Sequence, residues 1–231
     1  MTHPLMARLI DLVLPPRCGF CGDAGSVLCP GCIRDLPVND TACTLCAAPL
    51  PEQGVCGACQ ARPPPFSRVV APMRFAYPVD AAVRAFKFRH QETRLPSLVE
   101  LLLSGLPGVP DDIDAVVAMP MHWRRRVQRG FNQAALLAGP VARELGVPLI
   151  GNIRKHRHTP PQSTLAGPAR RNNLANAFRC RGLIAHDHVL IVDDVFTSGQ
   201  SAKHLAHLLR SAGAQRVSVL VVARAGGQVR L

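Results

Sequence analysis

The sequence predicts an α/β fold, a parallel sheet flanked by helices and preceded by a small cysteine-rich module. Three observations carry that prediction. Beyond residue 113, continuous apolar runs ("IDAVVAMP", "HDHVLIVDD", "QRVSVLVVAR") alternate with helical patterns, as expected of strands buried on both faces. Eight of the nine cysteines lie between Cys18 and Cys59. A chain of 231 residues, 48% hydrophobic and 18% charged, has room for one sizeable domain and one small module.

At the amino terminus, Leu5, Leu9, Leu12 and Val13 have the spacing of a short amphipathic helix. The apolar stretch Leu5–Leu14 contains Arg8 and Asp11 and is too short to span a membrane. It runs into Pro15-Pro16 with no small-residue cleavage site, so the protein reads as cytoplasmic, with no membrane insertion.

The cysteines form four Cys-x-x-Cys pairs: Cys18/Cys21, Cys29/Cys32, Cys43/Cys46 and Cys56/Cys59. Such a pair lets two thiolates of one tight turn reach the same ion, and two turns complete a tetrahedral zinc site. Disulfides need an oxidising compartment, for which the sequence gives no signal. Four sulfur ligands leave no position for a catalytic water, so both sites are expected to be structural. Sequential pairing groups Cys18, Cys21, Cys29 and Cys32 around one ion and Cys43, Cys46, Cys56 and Cys59 around the second. Sequential pairing is the expectation, since each half then closes a short hairpin; an interleaved cross-brace, which would mix the pairs, is also compatible with spacing alone. Cys180 reads as a core residue near a strand.

The expected division is 1–62 for the amino-terminal helix and cysteine module, 63–112 for a linker and lead-in, and 113–231 for the α/β domain. Pro63-Pro64-Pro65 is a stiff spacer. "FSRVVAPMRFAY" reads as strand. "PVDAAVRAFKFRHQ" reads as a helix with Val79, Val83, Phe86 and His90 on one face. "LPSLVELLLSGL" is a second helix, with Pro96 in its first turn and Gly105 at its end. Strand "IDAVVAMP" follows, then helix "GFNQAALLAGPVAREL" with Pro140 inside it, then strand "VPLIGNI". Residues 154–176 form a long basic loop. Strand "HDHVLIVDD", helix "SAKHLAHLLRSAG" and strand "QRVSVLVVAR" complete the domain.

The stretch "VLIVDDVFTSGQSA" places Asp193 and Asp194 side by side at a strand's carboxyl end, where ligands bind in such sheets. Thr197, Ser198, Gly199, Gln200 and Ser201 follow at a strand-to-helix junction. Small residues there let backbone N–H groups cradle a phosphate, with the helix N-terminus adding favourable partial charge. Carboxylates repel phosphate, so the acid pair suits a neighbouring part of the ligand, such as the vicinal hydroxyls of a ribose. A ribose 5-phosphate satisfies both halves. No Walker A pattern is present.

Apolar run, two acids and T-S-G-Q-S together resemble the motif by which type I phosphoribosyltransferases bind 5-phosphoribosyl 1-diphosphate (PRPP). "MPMHWRRRVQRGFNQAALLA" and "PQSTLAGPARRNNLANAF" resemble two further blocks of the ComF/GntX family of competence and DNA-utilization proteins, which also begins with a double zinc ribbon. The resemblance covers nearly the whole chain. It implies a type I phosphoribosyltransferase-like domain behind the zinc module. Asp193 and Asp194 would hold the ribose of PRPP, and Thr197, Ser198, Gly199, Gln200 and Ser201 its 5-phosphate. It also implies diphosphate contacts after "AVVAMP", where Arg124, Arg125, Arg126 and Arg129 supply cations, Arg129 foremost. Magnesium would travel with PRPP. The basic segment Arg154–Arg171 could close over the ligand, with Lys155, His156 and His158 as acid–base candidates. Purine-salvage relatives carry a third acid where this chain has Thr197, which argues against purine salvage.

The net charge is +12, and 24 of the 27 basic residues are Arg. A GC-rich genome and a surface that attracts polyanions explain this equally well. Two four-thiolate zinc sites lower the charge only to about +8. Three functions follow. One is a protein for uptake and use of imported DNA, with single-stranded DNA and other uptake proteins as partners. The second is an active glycosyltransferase of the phosphoribosyltransferase type in nucleotide metabolism. The third is a PRPP sensor. Trp123 beside Arg124–Arg126 is the one inviting platform for a base.

Overall fold

The computed structural model describes residues 15–88, 91–155 and 178–226. The expected amino-terminal helix, His90, and most of the basic segment, including His156 and His158, lie outside them.

Two short helices, α1 (Pro30–Arg34) and α2 (Gly57–Ala61), belong to the cysteine module. The rest follows as β1 (Arg68–Val70), β2 (Met73–Arg74), α3 (Val79–Phe88), α4 (Leu95–Leu103), β3 (Ala115–Ala118), α5 (Trp123–Arg129), α6 (Gln133–Leu145), β4 (Leu149–Ile150), β5 (Ile153–Lys155), β6 (Phe178–Cys180), β7 (His188–Phe196), α7 (Gln200–Ser211) and β8 (Arg216–Arg224). The main sheet runs β1-β8-β7-β3-β4 with every pairing parallel, and β2 pairs with β8 beyond β1. β5 and β6 form a separate antiparallel pair.

The continuous apolar runs behave as doubly covered strands. In β7, Val189 and Ile191 face one core while Leu190 and Val192 face the other, the period-2 alternation of a strand. α7 covers the first face with Ala202, Leu205, Ala206 and Leu209. α3, α4 and α6 cover the second with Val83, Phe86, Leu98, Leu101, Leu137 and Val141. The cysteine module straddles the sheet: Cys18 and Leu28 join the second core, whereas Ala47 joins the first.

Three segments differ from expectation. "FSRVVAPMRFAY" forms two short strands rather than one, because Pro72 has no N–H for the ladder. "VPLIGNI" divides at Gly151-Asn152, so that β4 joins the main sheet and β5 the antiparallel pair. The arginine-rich loop contains the helix α5. His122 caps it, its Nδ1 accepting from the Arg124 N–H at 3.3 Å, and Gly130 ends it in a left-handed conformation at φ 76°. α6 runs unbroken through Pro140.

Candidate functional site

Each half of the cysteine module gathers one sequential set of sulfurs, Cys18, Cys21, Cys29 and Cys32 in one and Cys43, Cys46, Cys56 and Cys59 in the other. Within each set the sulfurs all lie within 4.8 Å of one another. The Cys21 and Cys29 sulfurs are 3.6 Å apart, those of Cys46 and Cys56 3.7 Å. A tetrahedral zinc ion with sulfurs at about 2.3 Å requires an edge of about 3.8 Å, so the donor sets fit the metal. Backbone amides also favour thiolates here: Cys29 N–H donates to the Cys18 sulfur and Cys56 N–H to the Cys43 sulfur, at 3.5 and 3.3 Å. Burial opposes ionisation of Cys18 and Cys43, but these amide bonds outweigh it and bring both thiols to about 6. Cys32 and Cys59 are pushed the other way by burial and by the neighbouring sulfurs. Cys180 lies at the end of β6, partly buried, its sulfur donating to the Gly182 carbonyl at 3.4 Å.

The second cluster of polar groups lies near the carboxyl end of β7. The strand continues to Phe196, so Asp193 and Asp194 are held in extended backbone. Alternation sends their side chains to opposite faces. Asp194 is buried, with 6% of its surface exposed, and its Oδ1 lies 2.7 Å from Lys87 Nζ. Asp193 is partly buried and accepts from the Asp194 N–H at 2.9 Å. Burial, then the adjacent Asp194 charge, push Asp193 up to about 7, while Lys87 and Lys155 pull against them.

Lys87, at the end of α3, joins the candidate site through Asp194, and sequence reasoning missed it. The arginines of α5 divide. Arg124 and Arg126 are exposed, and the Arg124 guanidinium lies 5.5 Å from the Trp123 ring centre. Arg125 and Arg129 are half-buried. Burial lowers the Arg129 pKa, Arg125 adds to that, and Asp194 opposes it. Arg129 also packs 4.8 Å above the Phe88 ring and donates to Gln133 Oε1 at 3.5 Å. Lys155 on β5 is depressed by burial and by Arg125, with Asp193 opposing. Three cations from three elements, Lys87 of α3, Arg129 of α5 and Lys155 of β5, therefore bear on the acid pair.

The junction after β7 has the shape that its sequence implies. Gly199 is the N-cap of the twelve-residue α7 at φ 70°, and no side chain caps this helix end. A Cβ on Gly199 would fall 2.5 Å from the Phe196 ring, so only glycine fits. Thr197 and Ser198 are exposed, and Gln200 and Ser201 are half-buried. First-turn amides here favour an anion.

At the opposite end of β7, His188 Nδ1 lies 2.8 Å from Asp112 Oδ1 and its Nε2 2.9 Å from Ser218 Oγ. Asp, His and Ser in this order match a hydrolytic triad, but Ser218 has no exposed surface. The trio ties the foot of the sheet together.

Among the described residues, no helix is long and apolar enough to cross a membrane. The chain matches the double zinc ribbon domain over residues 9–60 and the phosphoribosyl transferase domain over residues 132–230. It is 33% identical over 228 residues to the DNA utilization protein YhgH of Salmonella typhi, covering 92% of this chain and 99% of that protein. It is 30% identical over 208 residues to competence protein F of Haemophilus influenzae, covering 86% and 90%. An adenine phosphoribosyltransferase of Rhodococcus jostii is 38% identical over 108 residues, covering 45% of this chain and 58% of that protein.

Proposed function

Because the chain belongs to the family of the DNA utilization protein YhgH and competence protein F, with a double zinc ribbon ahead of a phosphoribosyl transferase domain, we propose that it serves the use of imported DNA and binds PRPP. The observation that carries the PRPP reading is the convergence on one end of β7. Asp193 and Asp194 stand beside the uncapped, Gly199-turned start of α7, and Lys87, Arg129 and Lys155 bear on the acids. A ribose with a 5-phosphate on one side and a diphosphate on the other matches acids flanked by an anion cradle and by cations. Ribose hydroxyls donate to Asp193 and Asp194, and first-turn amides with the Thr197, Ser198 and Ser201 hydroxyls donate to the phosphate. Arg125 and Arg129 meet the diphosphate. Magnesium brought with PRPP takes its ligands mostly from phosphate oxygens, since Asp194 is already engaged by Lys87.

The nucleic-acid reading rests on the outer face of α5. Trp123 is 61% exposed with Arg124 over its ring, and Val127 is 75% exposed. An exposed indole beside cations is what sequence-tolerant binding of single strands uses. A cytoplasmic location suits both halves of this role. One experiment separates the readings: PRPP consumption with candidate acceptors, measured beside a salt titration of single-strand binding on the same sample. Binding of both ligands without turnover supports DNA use with a regulatory phosphoribosyl site. Turnover without DNA binding supports nucleotide metabolism instead.

A further inference from the structure

Arg224, the last residue of β8, has 8% of its surface exposed. Its Nε donates to the Cys46 carbonyl at 3.1 Å. Its Nη1 donates to the carbonyls of Phe196 and Thr197 at 3.1 and 2.8 Å and to that of Ala225. Its guanidinium carbon lies 5.2 Å from the Phe196 ring centre. Among the described residues no carboxylate pairs with it. A buried guanidinium without a paired carboxylate is expensive, and this one is held instead by backbone carbonyls, one of them belonging to Cys46 of the second four-cysteine set.

The other end of this contact is the phosphate loop. Phe196 packs edge-on against Phe66 at 5.9 Å, and its ring fills the space beside Gly199. The groups that Arg224 grips, the Phe196 and Thr197 carbonyls, therefore set where the first turn of α7 begins. The first four-cysteine site has different neighbours. It docks on α4, where Gly19 N–H donates to Ser97 Oγ at 3.0 Å and Arg94 donates to the Gly19 carbonyl.

We propose that Arg224 is a positioning residue that couples the second four-cysteine site to the Thr197–Ser201 loop, so that metal at the cysteines and a 5-phosphate at the loop strengthen each other's binding. Loss or oxidation of that metal site then weakens PRPP binding from outside the pocket. This rests on the PRPP reading above. Reciprocity is a thermodynamic requirement: if metal raises PRPP affinity by some factor, PRPP raises metal affinity by the same factor.

The test uses the zinc-loaded full chain and equilibrium competition with a colorimetric zinc chelator, with and without saturating PRPP and magnesium. The expected result is that one of two zinc ions is held about tenfold more tightly with PRPP, while the other is unaffected. Arg224→Met should abolish the effect with two zinc ions still bound. Arg224→Lys keeps the charge without the fork and should retain about threefold, which decides the matter if the Met variant does not fold. Unchanged zinc affinity in a protein that calorimetry shows to bind PRPP overturns the coupling, as does full coupling in both variants. A wild-type protein that takes no PRPP overturns the phosphoribosyl reading instead. The coupling is then read from amide exchange over residues 197–200, which must rise in the Arg224 variants for it to stand.

Discussion

Lys87 Nζ lies 2.7 Å from Asp194 Oδ1, and both side chains are largely buried. The pair joins the end of α3 to the end of β7. It also explains how two adjacent aspartates persist in a doubly covered strand, since a nearby cation offsets part of their repulsion.

Lys87→Met should therefore destabilise the protein by about 1–3 kcal/mol at pH 8, the partial exposure of Lys87 reducing the cost of a fully buried broken pair. Asp193, left without the pull of Lys87, holds a proton to higher pH. A raised folded-state pKa gives stability that is present at low pH and lost as pH rises, so the cost should shrink by pH 5. Denaturant melts at the two values check this. An equal cost at both would make the pair a merely solvated contact.

Two zinc ions per chain are expected by elemental analysis. Cys18→Ser and Cys43→Ser should each release one ion and lower the melting temperature, because metal binding is folding free energy for such modules. Iron at either site, or oxidised thiols with no metal, would contradict the sulfur geometry.

Affinity for single-stranded DNA should fall steeply with salt, each neutralised phosphate releasing counterions. The exposed Arg124 and Arg126, changed together to Ala, should flatten that slope by about one to two phosphate contacts. Arg125→Ala and Arg129→Ala should act mainly on PRPP. Trp123→Ala should weaken binding by about 1–3 kcal/mol with the slope unchanged. Absence of binding at low salt would remove DNA from the account.

His188 supplies a pH test at the other end of the sheet. Burial lowers its pKa below the ordinary 6.5, against the pull of Asp114. Below about 6.5 the unfolded chain takes up a proton that the folded state resists, so stability falls as pH falls. The urea midpoint should drop from pH 7.5 to pH 5, and His188→Gln should lose this histidine's part of the drop. Identical slopes in the two proteins would contradict it.

The parallel sheet was legible because Val, Leu and Ile fill both faces of the strands from Ala115 onward, a pattern with few alternatives. The cysteine sets were legible from spacing, although only folding decided between sequential and interleaved ligands. The acid pair and Gly199 were legible as a local motif. Lys87 and Arg224 were not. Each reaches its partner across a long stretch of chain, Lys87 to Asp194 and Arg224 to Cys46, and sequence distance carries no sign of such contacts. The α5 helix was missed because its capping, by the His122 side chain and the left-handed Gly130, has no strong compositional mark among four arginines.

The most direct measurement of the central claim is titration calorimetry of PRPP with magnesium into the zinc-loaded wild type and its Asp193→Asn variant, at pH 6 and pH 8. Burial and the adjacent Asp194 charge push Asp193 up to about 7, and a ribose hydroxyl is held better by the carboxylate than by the acid. Wild-type affinity should rise with pH. The variant should bind roughly tenfold to a hundredfold more weakly at pH 8, the range of one charged hydrogen bond, and should lose that part of the pH dependence. Equal affinity in the two proteins at pH 8 would mean that Asp193 meets no ribose, and the PRPP site would have to be withdrawn.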